Sequence, residues 1–142
     1  MFGLGNSKDS AAKLAALDRS QAIIEFETDG KIVTANQNFL DALGYSLGEI
    51  QGKHHSMFVE AKERDSVEYR RFWDDLRAGK FQQAEYKRIG KGGKEIWIQA
   101  TYNPLLNSAG KAFKVVKFAT DVTAEKLKNA DLEAHTKTIH RT

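Results

Sequence analysis

Strand-like segments at both ends of this 142-residue chain, with a helical stretch between them, constrain its fold more than any other feature. Residues 21–35 alternate apolar and polar side chains around Asp29-Gly30, a dipeptide typical of two-residue hairpin turns. Three later segments have the same character and are separated by turns that contain glycine. They are residues 81–89, 94–105 and 112–123. The pattern predicts two antiparallel strands followed, much later, by three more.

The residues between the two groups of strands, 36–79, carry helical signals. Asn36 is suited to cap a helix that Gly44 would end. A longer helix is predicted to begin with Asp65 in a capping position. It carries four large side chains at the spacing of a buried helical face: Tyr69, Phe72, Trp73 and Leu76.

This order of elements predicts an α+β fold, in which helices cross one face of a five-stranded antiparallel sheet. A ligand would lie in the space between the helices and the sheet. Flanking helices are expected at both ends. The predicted organisation is a flexible segment and amphipathic helix over residues 1–19, a core domain over 20–123 and a terminal helix over 124–142.

The composition argues for an ordinary globular protein and against several classes of function. There is no cysteine, so disulfides, thiolate catalysis and cysteine-ligated metals are excluded. No apolar run approaches the ~18 residues that span a bilayer, and no signal peptide is apparent, so a cytoplasmic protein without membrane contact is expected. The net charge is only +3 and the one dense basic cluster, residues 85–97, is interpreted as a solvated turn. Nucleic-acid binding is therefore not expected.

His54 and His55 lie side by side, which is poor geometry for a shared metal ion. His135 and His140 are five residues apart rather than four, so no metal site is predicted there either. Ser56 lacks the glycine elbow of a nucleophile, and no enzymatic activity is expected. The histidines could hydrogen-bond locally, or one could be an axial haem ligand. Core packing or an aromatic cofactor would each account for the tryptophans, with Trp97 facing either side of the sheet.

Two long segments resemble the halves of a PAS sensory domain. They are IIEFETDGKIVTANQNFLDALGYSLGEIQGK and EYKRIGKGGKEIWIQATYNPLLNSAGKAFKVVKFATDVT. The HHSMF connection and the KVVKFATDVT ending are most similar to PAS domains of bacterial chemoreceptors. These domains often occur in tandem, which agrees with the similarity of residues 137–142 to residues 15–20. The resemblance implies the PAS fold, a sensory function and a downstream signalling domain.

Within this family the chain resembles the aerotaxis receptors, whose PAS domain binds FAD non-covalently. The resemblance places five residues at a cofactor pocket: Asn36, His55, Met57, Trp73 and Asn103. Haem b is the alternative cofactor, with His55 or His54 as its axial ligand. A third interpretation is a domain without cofactor that serves dimerisation and relay, because Val59 and Gln82 replace residues of the flavin-binding pattern.

The resemblance also implies how a signal would leave the domain. A change of redox state or oxygen at the cofactor would bias the last strands and the junction at Asp121 and Thr123, and through them the terminal helix. A homodimer through the flanking helices is expected. The function implied is sensory transduction in chemotaxis.

Overall fold

The computed structural model describes residues 7–130, and its elements follow the predicted order. The helices are α1 (Ser7–Ser20), α2 (Gln37–Leu43), α3 (Leu47–Ile50), α4 (Ala61–Arg64) and α5 (Val67–Arg77), with 3-10 turns at His55–Phe58 and Lys91–Gly93. The strands are β1 (Ala22–Phe26), β2 (Ile32–Ala35), β3 (Gln82–Ile89), β4 (Glu95–Leu106) and β5 (Ala112–Asp121). Residues 123–130 are helical and are called α6. The predicted repeat at 137–142 and the histidines at 135 and 140 lie outside the described residues.

The five strands form one antiparallel sheet in the order β2-β1-β5-β4-β3. The first strand therefore pairs with the last, from Ala22 opposite Ala119 to Phe26 opposite Val115. This pairing joins the hairpin at the beginning of the domain to the three-stranded meander at its end. The predicted α+β fold with a five-stranded antiparallel sheet is confirmed.

One face of the sheet, the inner face, packs against the helices that connect β2 to β3. Successive side chains of a strand point to opposite faces, and in β4 the even-numbered residues from Ile96 to Tyr102 are buried. Trp97 lies on the outer face, where the Lys126 ammonium is 4.5 Å from its ring centroid. The structure thus decides the orientation that the alternating sequence left open.

The helix boundaries follow local capping signals. Asn36 accepts a hydrogen bond from the Phe39 amide at 3.0 Å, and Gly44 ends α2 with a φ of 81°. The N-cap of α5 is Ser66, whose hydroxyl oxygen accepts from the Tyr69 amide at 3.1 Å. The prediction of Asp65 as the cap was wrong, because this residue still ends the preceding helix α4.

Helix α1 packs less closely than the other elements. None of its residues is buried, and its two leucines, Leu14 and Leu17, are 64% and 39% exposed. Its end is nevertheless tied to the domain, because the Asn36 side chain donates to Asp18 and Gln21. No helix among residues 7–130 is both long and apolar enough to cross a membrane.

Gly90, just after β3, is a position where the fold requires the absence of a side chain. A Cβ atom there would lie 2.7 Å from the Leu43 carbonyl oxygen and 2.8 Å from Ile96 Cδ1. We expect Gly90→Ala to lower the free energy of unfolding by about 1–3 kcal/mol, since α2 must move away from the sheet. Urea unfolding followed by circular dichroism measures the effect. Gly48→Ala is the matched control, because no atom lies within 4 Å of its added Cβ. Equal stability of the two variants would contradict the prediction.

Candidate functional site

A fully buried histidine is the centre of the inner face. His55 Nδ1 lies 2.7 Å from the Tyr69 hydroxyl of α5, and its Nε2 lies 2.9 Å from the Tyr102 hydroxyl of β4. The imidazole therefore bridges the helical layer and the sheet. The rings of Phe26 and Trp73 lie edge-on to it, each with its centroid 5.3 Å away. We call these five residues the His55 cluster.

Backbone pairing with the first hairpin places this histidine. The Ile32 amide donates to the Lys53 carbonyl at 2.7 Å, and the His55 amide donates to the Gly30 carbonyl at 2.9 Å. The connection thus runs beside the turn of the β1–β2 hairpin. His54 points back to that turn, where its Nε2 lies 2.9 Å from the Asp29 carbonyl oxygen, while Nδ1 accepts from the Ser56 amide. Adjacent histidines consequently have different environments, one in the core and one at the surface.

Arg88 extends the cluster toward the end of β3 and is only 2% exposed. Its Nη2 donates to the Tyr102 hydroxyl at 3.3 Å, and Nη1 donates to Glu63 at 3.2 Å. The guanidinium carbon lies 4.6 Å from the centroid of the Tyr86 ring. The interpretation of residues 85–97 as a solvated basic turn was wrong for Arg88, because its side chain is buried. Its side chain points to the same face as Tyr86, two residues earlier in the strand.

A second buried basic side chain lies on β5, which is separated from β3 by β4. Lys117 is 1% exposed, and its Nζ lies 4.8 Å from the centroid of the Tyr102 ring and 5.7 Å from that of Phe39. Among the described residues it has no carboxylate partner. Burial, together with the nearby Arg88 guanidinium, holds the pKa of Lys117 well below its usual range.

Burial also controls the protonation of the cluster itself. Desolvation, reinforced by Arg88 and Lys117, lowers the pKa of His55 well below 6.5, so its imidazole is neutral at physiological pH. Burial raises the pKa of Tyr69 to about 12 and also raises that of Tyr102. All three side chains are therefore uncharged, and Arg88 keeps its charge beside them.

The structure does not gather the five predicted cofactor residues around one space. His55 and Trp73 belong to the cluster, and Met57 packs against the core beside it. Asn36 is committed to the junction of α1, β1 and α2, where its side-chain oxygen also accepts from the Ile23 amide at 2.9 Å. Asn103 donates to Thr101 and to the Val116 carbonyl, and it lies on the outer face of the sheet.

Neither predicted cofactor fits the cluster as it is arranged here. Both ring nitrogens of His54 and of His55 are engaged in hydrogen bonds, so an axial bond to haem iron would displace a partner. The centroids of the Phe72 and Tyr102 rings are only 4.7 Å apart, and the surrounding rings are in direct contact. A flavin ring system would have to separate them. One feature does favour a ligand, since Trp73 Nε1 is buried near the Tyr69 hydroxyl but makes no hydrogen bond of good geometry among the described residues.

The part of the chain from residue 7 to residue 130 contains no group of three side chains suited to hold a metal ion. The residues that sequence reasoning missed are the two buried cations and the two tyrosines that hold His55. Strand alternation is the signal for Tyr102, which has the parity of Ile96 and Ile98.

A five-stranded antiparallel sheet in the order β2-β1-β5-β4-β3, with helices across one face, is the architecture of the PAS fold. The sequence matches the family described as the PAS fold over residues 32–119. The chain belongs to the PAS-fold family, and it is a PAS domain of the chemoreceptor type.

Two named proteins are similar to most of this chain. The biofilm dispersion protein BdlA of Pseudomonas aeruginosa is 47% identical over 111 residues, which are 78% of this chain and 27% of that protein. The aerotaxis receptor of Escherichia coli is 28% identical over 96 residues, covering 68% of this chain and 19% of the receptor. The chain thus spans about a quarter or less of the length of these relatives.

Solved structures agree on the fold. An RNA-binding light-oxygen-voltage receptor has a TM-score of 0.75 and 23% identity, covering 99% of this chain and 40% of that one. A light-oxygen-voltage protein of Rhodobacter sphaeroides has a TM-score of 0.67 and 17% identity, covering 83% of this chain and 69% of that one. At this level of identity the likeness establishes the fold alone.

The neutral, buried state of His55 has a consequence for stability. In the unfolded chain this imidazole takes up a proton near its ordinary pKa of 6.5, whereas in the folded chain it does so only at much lower pH. Below pH 6.5 the unfolded state therefore binds more protons, and stability falls by about 1.4 kcal/mol for each pH unit. We expect His55→Gln to lack this contribution when the free energy of unfolding is measured between pH 7.5 and about 5.

The matched control is His54→Gln, which leaves His55 in place and should keep the part of the slope that His55→Gln removes. If wild type and His55→Gln lost stability in parallel on acidification, the histidine would be accessible to protons in the folded state. That result would contradict its buried, neutral assignment.

Proposed function

We propose that this PAS domain is the sensory input module of a longer chemotaxis-type protein, and that the His55 cluster is where its signal arises. The observation that carries the proposal is that β4 joins the cluster to the start of helix α6. The hydroxyl of Tyr102, in the second half of β4, is hydrogen-bonded to His55. Trp97, near the start of the same strand, donates its amide to the Thr123 hydroxyl oxygen. A change at the cluster can thus reach the terminal helix through one strand.

The contacts at the helix junction support this route. The Trp97 amide donates to the Thr123 hydroxyl oxygen at 2.9 Å, and the Val122 amide donates to the Trp97 carbonyl at 2.8 Å. Asp121 accepts from the Thr123 amide at 2.9 Å, which caps the helix. In the first turn of α6, Lys126 lies over the Trp97 ring. Asp121 and Thr123 are thus proposed as relay residues, as the family resemblance implies.

A double-mutant cycle tests the relay. We expect Tyr102→Phe and Thr123→Val to be non-additive in the free energy of unfolding, with a coupling of at least about 0.5 kcal/mol, because both act on β4. Each variant removes one hydroxyl from one end of the proposed route. Denaturant unfolding of the two single variants and the double variant measures the coupling.

The control cycle replaces Thr123→Val with Thr120→Val, an exposed threonine on β5 whose hydroxyl donates to Gln21 at 3.4 Å. Additivity is expected there. If both cycles were additive, the His55 cluster and α6 would not be energetically coupled through β4, and the proposed relay would be wrong.

FAD remains the cofactor that the resemblance favours, with haem b as the alternative. Trp73 Nε1, which makes no hydrogen bond of good geometry among residues 7–130, is a donor that a flavin would meet in the interior, provided that Phe72 and Tyr102 separate. The redox signal proposed for the domain depends on this rearrangement. A domain without either cofactor, which relays a different signal, is favoured by the contact among the aromatic rings.

An absorption spectrum of the purified protein, taken before and after incubation with FAD or haemin, separates these alternatives. Flavin bands that survive gel filtration in wild type and are lost in Trp73→Phe would support the flavin sensor. A haem band that disappears only in His55→Ala or only in His54→Ala would identify an axial ligand. A protein that remains colourless after both incubations would rule out both cofactors and retain the relay alone.

The proposal includes partners that the two relatives suggest. A downstream signalling domain would follow α6 in the longer protein, as expected for chemoreceptors. Self-association is proposed through the flanking helices, because α1 exposes Leu14 and Leu17 on one side. The proposed location is the cytoplasm.

A further inference from the structure

Helix α6 lies beside the outer face of the sheet without packing closely on it. Residues 124–130 are all exposed, so this segment buries no apolar side chain against the strands. A groove of about 350 Å³ lies between the helix and β3, and both Glu85 and Asn129 line it. The position of the helix after its first residue must therefore depend on a small number of contacts.

One lysine spans this groove. Lys126 Nζ donates to Glu85 Oε1 of β3 at 2.5 Å and lies 4.5 Å from the centroid of the Trp97 ring of β4. Within the described part of the chain, these are the hydrogen bond, ion pair and ring contact that join residues 124–130 to the sheet. We call Lys126, Glu85 and Trp97 the α6 latch.

We propose that the α6 latch holds the terminal helix on the sheet while β3 and β4 keep their relative position, and that it releases the helix when the two strands shift. The inference rests on the proposed sensory function and deepens it. The relay proposed above reaches α6 through β4 alone, whereas the latch makes the position of the helix depend on β3 as well.

The latch depends on two strands because its two sheet residues lie on different ones. Glu85 is paired with Gln99, two residues beyond Trp97 on β4, so the Glu85 and Trp97 side chains are diagonal neighbours on the outer face. Strand β3 is at the edge of the sheet, and among residues 7–130 its only neighbouring strand is β4. A displacement of this edge strand would move the Glu85 carboxylate away from the Trp97 ring. Lys126 could then contact only one of them.

The inner face of β3 connects this strand to the His55 cluster. Arg88 Nη2 donates to the Tyr102 hydroxyl of β4 at 3.3 Å, and the rings of Tyr86 and Tyr102 meet edge to face at 5.4 Å. Glu85 precedes Tyr86 in the chain and points to the opposite face of the sheet. A change in the cluster that displaces Tyr86 therefore displaces Glu85 as well, and the latch transmits that displacement to α6.

The strength of these contacts suits a reversible hold. Both side chains of the ion pair are 44% exposed, and a pair of this kind changes an equilibrium by about fivefold or less. A lysine over a partly exposed tryptophan adds a factor of about two to five. Contacts of this size favour the docked helix without fixing it, so a shift of β3 can reverse the preference.

Nuclear magnetic resonance of the whole chain observes the latch directly. The ring current of Trp97 shifts the Lys126 side-chain methylene protons upfield while the lysine lies over the ring. Amide hydrogen exchange of residues 127–130 reports whether α6 is held, because a short helix without tertiary contacts is marginal in water. We expect an upfield shift and slow exchange at about 0.01 M salt. Both should be reduced at about 1 M salt, where the screening length falls from about 30 Å to about 3 Å.

A glutamine substitution tests the ion pair without changing the size of the side chain. Glu85→Gln should reduce the upfield shift of Lys126, speed exchange of residues 127–130 about two- to fivefold, and weaken the dependence of both on salt. Glu95→Gln is the matched control, because this exposed glutamate of β4 pairs with Lys87 rather than with Lys126. It should behave as wild type. Lys126→Met, which keeps an apolar side chain, should speed the exchange at least as much as Glu85→Gln.

Tyr102→Phe tests whether the latch responds to the inner face. It removes the oxygen through which Arg88 of β3 is bound to β4. We expect it to reduce the upfield shift of Lys126 in the otherwise unchanged chain. It should speed exchange of residues 127–130 less when Glu85→Gln is already present, because the latch is then already weakened. An equal effect in both backgrounds would overturn the dependence of the latch on β3.

Failure of this inference can be distinguished from failure of the proposed function. If Glu85→Gln and Glu95→Gln had the same effect on Lys126 and on exchange in α6, the latch would be wrong, whether or not Tyr102→Phe folds. Insensitivity of wild type to salt would also contradict it. The coupling between Tyr102 and Thr123 is measured by unfolding, with Glu85 and Lys126 unchanged, so the relay through β4 stands or falls separately.

Discussion

The hydrogen bonds of one buried imidazole hold the helical layer to the sheet. Arg88 Nη2 can only donate a hydrogen bond, so the Tyr102 hydroxyl oxygen accepts from it. The Tyr102 hydroxyl in turn donates its hydrogen to His55 Nε2. The neutral imidazole then carries its proton on Nδ1 and donates to the Tyr69 hydroxyl. The chain of donors runs from the charged arginine to α5, and each buried member has a partner. The opposite tautomer would leave the fully buried Tyr102 hydroxyl hydrogen without an acceptor among the described residues.

This arrangement explains why the inner face is both crowded and polar. In a fold of this family the space beneath the helices is where a ligand is expected, yet here rings in contact with His55 fill it. A polar cluster that is fully satisfied fixes one packing, whereas a partly satisfied one has a competing arrangement close in energy. The two exceptions are Trp73 Nε1 and Arg88 Nε, both buried and both without partners in the part of the chain that is described. They are the two places where a ligand could improve the hydrogen bonding of the interior.

Local signals in the sequence predicted most of the fold. The Asp29-Gly30 turn and the cap at Asn36 act over a few residues, so their structures follow from the sequence nearby. The pairing of β1 with β5 joins segments about ninety residues apart and has no local signal, although a single five-stranded sheet, as predicted, requires some pairing between the two groups of strands. Ser66 rather than Asp65 became the helix cap because a short preceding helix, which was not predicted, ends at Asp65.

The candidate site was harder to predict, for a reason that Arg88 illustrates. In sequence it lies among lysines that are solvated, and only its parity with Tyr86 shows that it shares the inner face. The alternation of side chains along β3 shows which of them are buried only once the pairing of β3 with Ile96 and Ile98 of β4 is known. His55 was recognised through the family resemblance, but its partners Tyr69 and Tyr102 come from distant elements. Hydrogen bonds between distant elements are a property of the folded structure, and a single sequence does not encode them visibly.

The two buried cations are the part of the interior that packing alone does not explain. Apolar side chains of similar volume would fill the same space without the cost of desolvating charge, and buried ionic groups are often replaceable in this way without loss of stability. Arg88 has one half-exposed carboxylate partner, and Lys117 has none among the described residues. Perturbed and incompletely paired groups of this kind are concentrated where proteins bind or react. Arg88 is linked by Tyr102 to β4, the strand that reaches α6, so a change in the surroundings of its guanidinium would be felt at the end of the domain.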